Sequence, residues 1–224
     1  MWEPPLISAH RGGADDVGGQ NSLAAVERAV LLGCELVEVD VRTRPDGTPV
    51  LGHDAITADS PTLADAVVLL GERTALHLDL KVADPDATIV ALAVKALGAR
   101  RVVVTTARDA DVRSLRRWAD THATGLLVGL STSRRPAAGR TARVAARLDS
   151  LRPRTRLRRS TANLVVSHHV LARWWLARWA KRRGLPLLVW TVDRDDDLRR
   201  WLTDPRTWAV TTNRPARALE LRAK

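Results

Sequence analysis

The chain has no tyrosine and no phenylalanine, one cysteine and one methionine among 224 residues. Its aromatic residues are 8 tryptophans, so large ring surfaces are confined to a few positions. The lone Cys34 excludes an internal disulfide and points to a reducing compartment, with the cytoplasm as the default. No run approaches the roughly 20 uninterrupted apolar residues that a membrane-spanning helix needs. The opening MWEPPLISAHRGG has no basic region followed by an apolar stretch, so no secretory signal is expected. Hydrophobic residues make up 45% and charged residues 27%, the composition of a globular protein. The length suits one domain over residues 1–224 with a full core.

Acidic residues are scarce in one place above all. Between Ser133 and Ser160 ten arginines face a single acid, Asp149, so this segment holds nearly all of the formal net charge of +11. Residues 131–160 also contain Pro136, Gly139 and Pro153. They read as a partly irregular insertion: a loop, one helix near 140–151, then another loop. The plain reading is a solvated, arginine-biased surface. The sharper one is peripheral contact with anionic lipid; nucleic acid is not expected.

What the rest of the chain does have is alternation. Short apolar runs at 6–10, 35–41, 75–81, 101–107, 123–130, 163–169, 186–193 and 208–213 read as strands. Helical patterns lie near 21–33, 62–70, 85–98, 109–121, 140–151, 171–183, 195–202 and 215–222. Strict β-then-α order implies a parallel sheet, and eight such units imply closure into a (β/α)8 TIM barrel. An open doubly wound sheet lacks support, because no G-x-G-x-x-G follows the first strand.

Two strands carry charge on one face. Strand side chains alternate with a period of two, so Glu38, Asp40 and Arg42 share a face opposite Val37, Val39 and Val41. His77, Asp79 and Lys81 likewise stand opposite Leu76, Leu78 and Leu80. In a barrel the apolar faces pack under the helices and the charged faces point inward. Buried like charges are costly unless compensated. A salt-bridged interior, with Arg42 and Lys81 as partners, is one solution. A divalent cation held by Glu38, Asp40 and Asp79 is the other, and all-oxygen ligation favours Mg2+ or Ca2+ over zinc. His10, ending the first strand before Arg11-Gly12-Gly13, and His53, after the Pro45-Asp46-Gly47 turn signal, fall at the same end. Two imidazoles there suit acid–base work.

The run His10-Arg11-Gly12-Gly13, the Asn21-Ser22 pair, Glu38-Val39-Asp40, Pro45-Asp46-Gly47 and His53-Asp54 resembles the glycerophosphodiester phosphodiesterase family in order and spacing. Asp79-Leu80-Lys81, Val189-Trp190-Thr191-Val192 and Thr212-Asn213-Arg214-Pro215 are similar to its later strands. The resemblance implies a metal-dependent (β/α)8 enzyme that hydrolyses glycerophosphodiesters to an alcohol and glycerol phosphate. It implies His10 and His53 as the acid–base pair, Glu38, Asp40 and Asp79 as metal ligands, and Arg11, Lys81 and Trp190 as substrate contacts. The chain departs from the pattern at Gly19-Gln20-Asn21-Ser22, where the family has P-E-N-T. It departs again at Asp79, where many relatives have glutamate, a feature similar to spider-venom sphingomyelinase D barrels. A lysophospholipase D or sphingomyelinase D-like lipid phosphodiesterase is the second reading. A non-catalytic barrel that binds anionic ligands is the third.

Overall fold

The computed structural model describes residues 3–13, 19–82, 87–132 and 152–223. Among the described residues nine strands form one sheet: β1 Leu6–Ala9, β2 Leu36–Thr43, β3 Pro49–Leu51, β4 Ala75–Leu80, β5 Val102–Thr106, β6 Leu127–Ser131, β7 Leu164–His168, β8 Leu187–Trp190 and β9 Ala209–Thr212. Eight of them run parallel in the order β1-β9-β8-β7-β6-β5-β4-β2, and a β1–β2 pairing closes the ring. The architecture is the (β/α)8 barrel that the alternation implies. The ninth, β3, pairs antiparallel with the end of β2, Val41 opposite Leu51 and Thr43 opposite Pro49.

That hairpin is one element the sequence pattern misses. Pro45-Asp46-Gly47 does form a turn, in which Gly47 N–H reaches Arg44 O at 2.9 Å with Gly47 in the left-handed region at φ 88°. The turn connects two strands rather than a strand and a helix. Three residues are too short a run to show a period of two.

The helices are α1 Leu23–Leu31, α2 Leu63–Leu70, α3 Ala87–Leu97, α4 Asp109–His122, α5 Pro153–Ser160, α6 His169–Leu171, α7 Ala177–Arg182, α8 Asp195–Thr203 and α9 Pro215–Arg222. A π-helical stretch, Ala172–Leu176, joins α6 to α7. Local chemistry sets several starts. Ser22 caps α1 by accepting from Ala25 N–H at 3.1 Å, and Thr62 and Asp65 form a reciprocal capping box on α2. Pro153 and Pro215 occupy first-turn positions, where a missing N–H costs nothing.

α5 corrects the expectation of a loop after residue 151. Its Arg156 is buried, its guanidinium binding Asp109 at the start of α4 and the Ala107 carbonyl at 2.8 Å, and Leu157 packs beside it. One arginine of the basic segment is thus interior structure rather than solvated surface. The helix expected near 140–151 lies outside the described residues, as does the start of the one expected from residue 85.

Two apolar layers hold the barrel. The larger lies between strands and helices and includes Val37, Val39, Leu76, Leu78, Val104, Val165, Val189 and Val210. The smaller plugs the lower interior with Leu6, Leu36, Ala75, Val103, Leu164, Val166, Leu188 and Ala209. The next inward positions up the same strands are polar: Ser8 on β1, Glu38 and Asp40 on β2, His77 and Asp79 on β4, and Thr105 on β5. The change from apolar plug to polar rim puts the chemistry at the C-terminal ends of the strands, where barrels of this type carry their sites.

Candidate active site

Glu38, Asp40 and Asp79 each offer an oxygen, and the three oxygens lie within 4.8 Å of one another. The parallel register explains the meeting, because Asp40 pairs with Asp79 across β2 and β4. Glu38 is 3% exposed and Asp40 1%, so neither carboxylate is solvated. Their environments differ. Asp40 Oδ2 accepts from Asn21 Nδ2 at 3.0 Å and lies 2.9 Å from Arg11 Nε. Its Oδ1 lies 2.9 Å from Lys81 Nζ. Burial alone would raise the Asp40 pKa, but Lys81, Asn21 and Arg11 reverse the sign and hold it below the usual carboxylate range. Glu38 has no comparable partner. Burial, with repulsion from Asp40 and Asp79, pushes its pKa well up. The Arg11 backbone N–H, 2.7 Å from Glu38 Oε2, offsets only part of this.

That N–H reaches Glu38 because the backbone is bent to deliver it. Arg11 sits in the left-handed region at φ 53°, ψ 33°, a sparsely populated conformation for a non-glycine residue and one concentrated at functional sites. Gly12 follows with φ 84°, and a Cβ there would stand 2.6 Å from Ala25 Cβ on α1. The turn is therefore clamped against α1, and the side chain of Arg11 spans from Asp40 to the Gln20 amide oxygen. The Gln20 amide oxygen accepts from Arg11 Nη1.

Lys81 Nζ lies 2.5 Å from Asp79 Oδ2 as well as 2.9 Å from Asp40. Burial works against its charge, but the two aspartates outweigh burial and raise its pKa. Asp79 Oδ1 accepts from Thr105 Oγ1 at 2.7 Å. Thr105 has one hydroxyl proton and gives it to Asp79, so it accepts from His77 Nε2–H at 3.1 Å. Neutral His77 then accepts at Nδ1 from Ser8 Oγ, also 3.1 Å away. Burial holds His77 neutral, with a pKa lowered to about 3.

His10 Nε2 stands 4.0 Å from Glu38 Oε2, and its Nδ1 lies 2.7 Å from Asn213 Oδ1. Burial lowers its pKa, against the hydrogen bond to Asn213. His53 is set apart. It follows β3, is half-exposed, and pairs through Nδ1 with Asp54 at 2.9 Å. Among the described residues no hydrogen bond or ion pair joins His53 to the three carboxylates. Arg42 Nε binds its backbone carbonyl at 2.8 Å and ties it to the β2 rim. Trp190 ends β8, packs on the interior plug and meets the His168 ring edge-on at 6.1 Å. The structure thus brings together Glu38, Asp40, Asp79, Arg11, Lys81 and His10, with His53 and Trp190 on the rim. Sequence reasoning missed Asn21 as an anchor of Asp40, and also Thr105, Asn213 and Asp193, whose Oδ2 accepts from Asn213 Nδ2 at 2.8 Å. Thr105, Asn213 and Asp193 lie within three residues of the C-terminal ends of β5, β9 and β8, which was their one legible signal, whereas Asn21, just ahead of α1, carried none.

Residues 10–73 match the model of the Glycerophosphoryl diester phosphodiesterase family. That stretch carries His10, Arg11, Glu38, Asp40 and His53, and ends before Asp79, Lys81 and Trp190. The family resemblance read from the motifs is shown there. No curated protein sequence matches the chain. Many solved structures share its fold, among them these three. A glycerophosphodiester phosphodiesterase from Parabacteroides distasonis is 20% identical, with a TM-score of 0.76 over 97% of this chain and 96% of its own. A putative glycerophosphodiester phosphodiesterase from Galdieria sulphuraria is 16% identical, with a TM-score of 0.77 over 98% of each chain. An Oleispira antarctica phosphodiesterase, solved with the product sn-glycerol-3-phosphate, is 18% identical, with a TM-score of 0.69 over 98% and 97%.

Proposed function

We propose that this chain is a metal-dependent glycerophosphodiester phosphodiesterase that releases an alcohol and glycerol phosphate. The observation that carries the reading is the meeting of three carboxylates with Arg11, Lys81 and His10 at the open end of the barrel. Glu38, Asp40 and Asp79 fit a hard divalent cation, Mg2+ or Ca2+. The donors are all oxygen, and burial with repulsion from Asp40 and Asp79 leaves the charge of Glu38 in particular under-compensated. When bound, the cation would stabilise charge on the non-bridging phosphoryl oxygens. Arg11 and Lys81 would present the phosphate with a planar fork and a point charge. His10 would take the proton of the nucleophile, and His53 would return one to the leaving alkoxide as the P–O bond breaks. Trp190 would wall the side of the departing alcohol. The lone, buried Cys34 agrees with a reducing, cytoplasmic setting. Turnover of a panel of glycerophosphodiesters, with chelator and after restoring Mg2+ or Ca2+, tests the reading. Activity indifferent to chelation would refute the metal, and no activity on any diester would refute the enzyme.

One observation favours a second reading, a lysophospholipase D-like activity on lipid. Trp174 is 79% exposed and Val170 49% exposed, four residues apart on the helix that leaves β7 at the rim, beside Arg173. Such a face suits an anionic lipid surface. Turnover of a lysophospholipid in mixed vesicles that falls in Trp174→Ser, while glycerophosphocholine turnover holds, supports it; equal loss on both substrates rules it out. The described residues hold no helix long and apolar enough to cross a membrane.

A further inference from the structure

Asp193 follows β8 and Asn213 follows β9, so adjacent parallel strands deliver both to the barrel mouth. Asp193 Oδ2 accepts from Asn213 Nδ2 at 2.8 Å, and Oδ1 accepts from Asn213 backbone N–H at 2.9 Å and Thr212 Oγ1 at 3.2 Å. A carboxylate only accepts. The Asn213 amide therefore has one orientation, with Nδ2 toward Asp193 and Oδ1 away from it. Oδ1 faces His10 Nδ1 at 2.7 Å. An amide oxygen also only accepts, so Nδ1 carries the hydrogen. In neutral imidazole Nε2 then holds a lone pair, and Nε2 is the atom on the Glu38 side, 4.0 Å from Oε2.

We propose that Asn213, oriented by Asp193, is a positioning residue that fixes His10 as the Nδ1–H tautomer, so that Nε2 faces the substrate as a proton acceptor. The opposite tautomer would point a donor at the carboxylates and leave nothing to take the nucleophile's proton. The inference rests on the reading of His10 as an acid–base group, and it names the device that gives this histidine the accepting role. Asp193 acts at one remove, through the amide. The pair belongs to two strands distant in sequence from His10, which is why the motif around residue 10 does not contain it.

Two measurements test it. In protein carrying 15N-labelled histidine, with His10→Ala assigning the signal, His10 should show a protonated Nδ1 and an unprotonated Nε2; the reverse pattern overturns the proposal outright. On glycerophosphocholine, Asn213→Leu keeps the volume but cannot accept. It should lower kcat about 10–100-fold, the usual effect of losing such an orienting partner, and leave KM within about threefold. The exchanged pair, Asn213→Asp with Asp193→Asn, keeps an acceptor toward His10 and a donor between the two, and should restore most of the lost kcat. Unchanged kcat in Asn213→Leu, or no recovery in a folded exchanged pair, would overturn it. If Asn213→Leu does not fold, the label and the exchanged pair decide. Full turnover by His10→Ala would remove the catalytic reading instead, and the tautomer pattern would be unaffected, so the two failures are distinguishable.

Discussion

Lys81 Nζ sits 2.9 Å from Asp40 Oδ1, a close charge pair inside the barrel with Asp40 almost fully enclosed. The pair keeps Asp40 ionised while Glu38, two residues earlier on the same strand, is pushed toward its neutral form. Lys81, with Asn21 and Arg11, thus sets apart two carboxylates of one strand face. Replacing Lys81 with Met should move two readouts in opposite directions. Divalent-cation affinity should rise, because the site becomes more negative. kcat/KM should fall about 100-fold, because a cation facing the phosphate is gone. Calorimetric titration of the metal beside steady-state kinetics checks this; weaker metal binding would show that Lys81 organises the carboxylates rather than competing for them.

The raised pKa of Glu38 makes cation binding proton-linked. The metal needs the ionised carboxylate, so binding releases a proton wherever Glu38 is protonated beforehand. Affinity should therefore increase as pH rises through the elevated Glu38 pKa and level off above it. Without metal the sign reverses. A carboxylate raised in the folded state stabilises that state below its ordinary range, and the gain is lost as pH rises through the folded value. Thermal unfolding with and without Mg2+ or Ca2+ across pH should show a metal-induced gain that grows with pH. Glu38→Gln should abolish the gain and flatten the metal-free profile.

His77 supplies the acid limb. Its folded pKa of about 3 lies below the unfolded value of about 6.5, so its contribution is complete above pH 6.5 and is lost as pH falls toward 3. The slope in that window should approach about 1.4 kcal/mol per pH unit from this group alone. His77→Gln should reduce the acid sensitivity of unfolding, measured by denaturant titration between pH 6.5 and 4. An unchanged slope would place the acid sensitivity elsewhere.

The eight parallel strands were legible because each is an apolar run broken by helix-period sequence, and both charged strand faces followed from a period of two. Convergence of Glu38, Asp40 and Asp79 was also readable in kind, since three inward acids on neighbouring strands must be compensated. The hydrogen-bonded supports were not. Thr105 reaches Asp79 from another strand, Asn213 reaches His10 across nearly the whole chain, and neither contact leaves a trace in local spacing. β3 escaped because Pro49-Val50-Leu51 is too short to show alternation. α5 escaped because arginine at four of its eight positions reads as solvated, whereas the decisive residue, Arg156, faces inward to Asp109.

That buried pair yields a stability prediction for the basic segment. Arg156 is 3% exposed, and its Nη2 lies 2.6 Å from Asp109 Oδ1. Removing one partner strands a charge in the interior, whereas removing both costs mainly packing. Arg156→Leu alone should destabilise the fold by about 3–5 kcal/mol, read as a fall in denaturation midpoint at unchanged slope. Arg156→Leu with Asp109→Leu should recover a substantial part of that loss. Two single losses that simply add would mean that Arg156 acts through its 2.8 Å bond to the Ala107 carbonyl rather than through the ion pair.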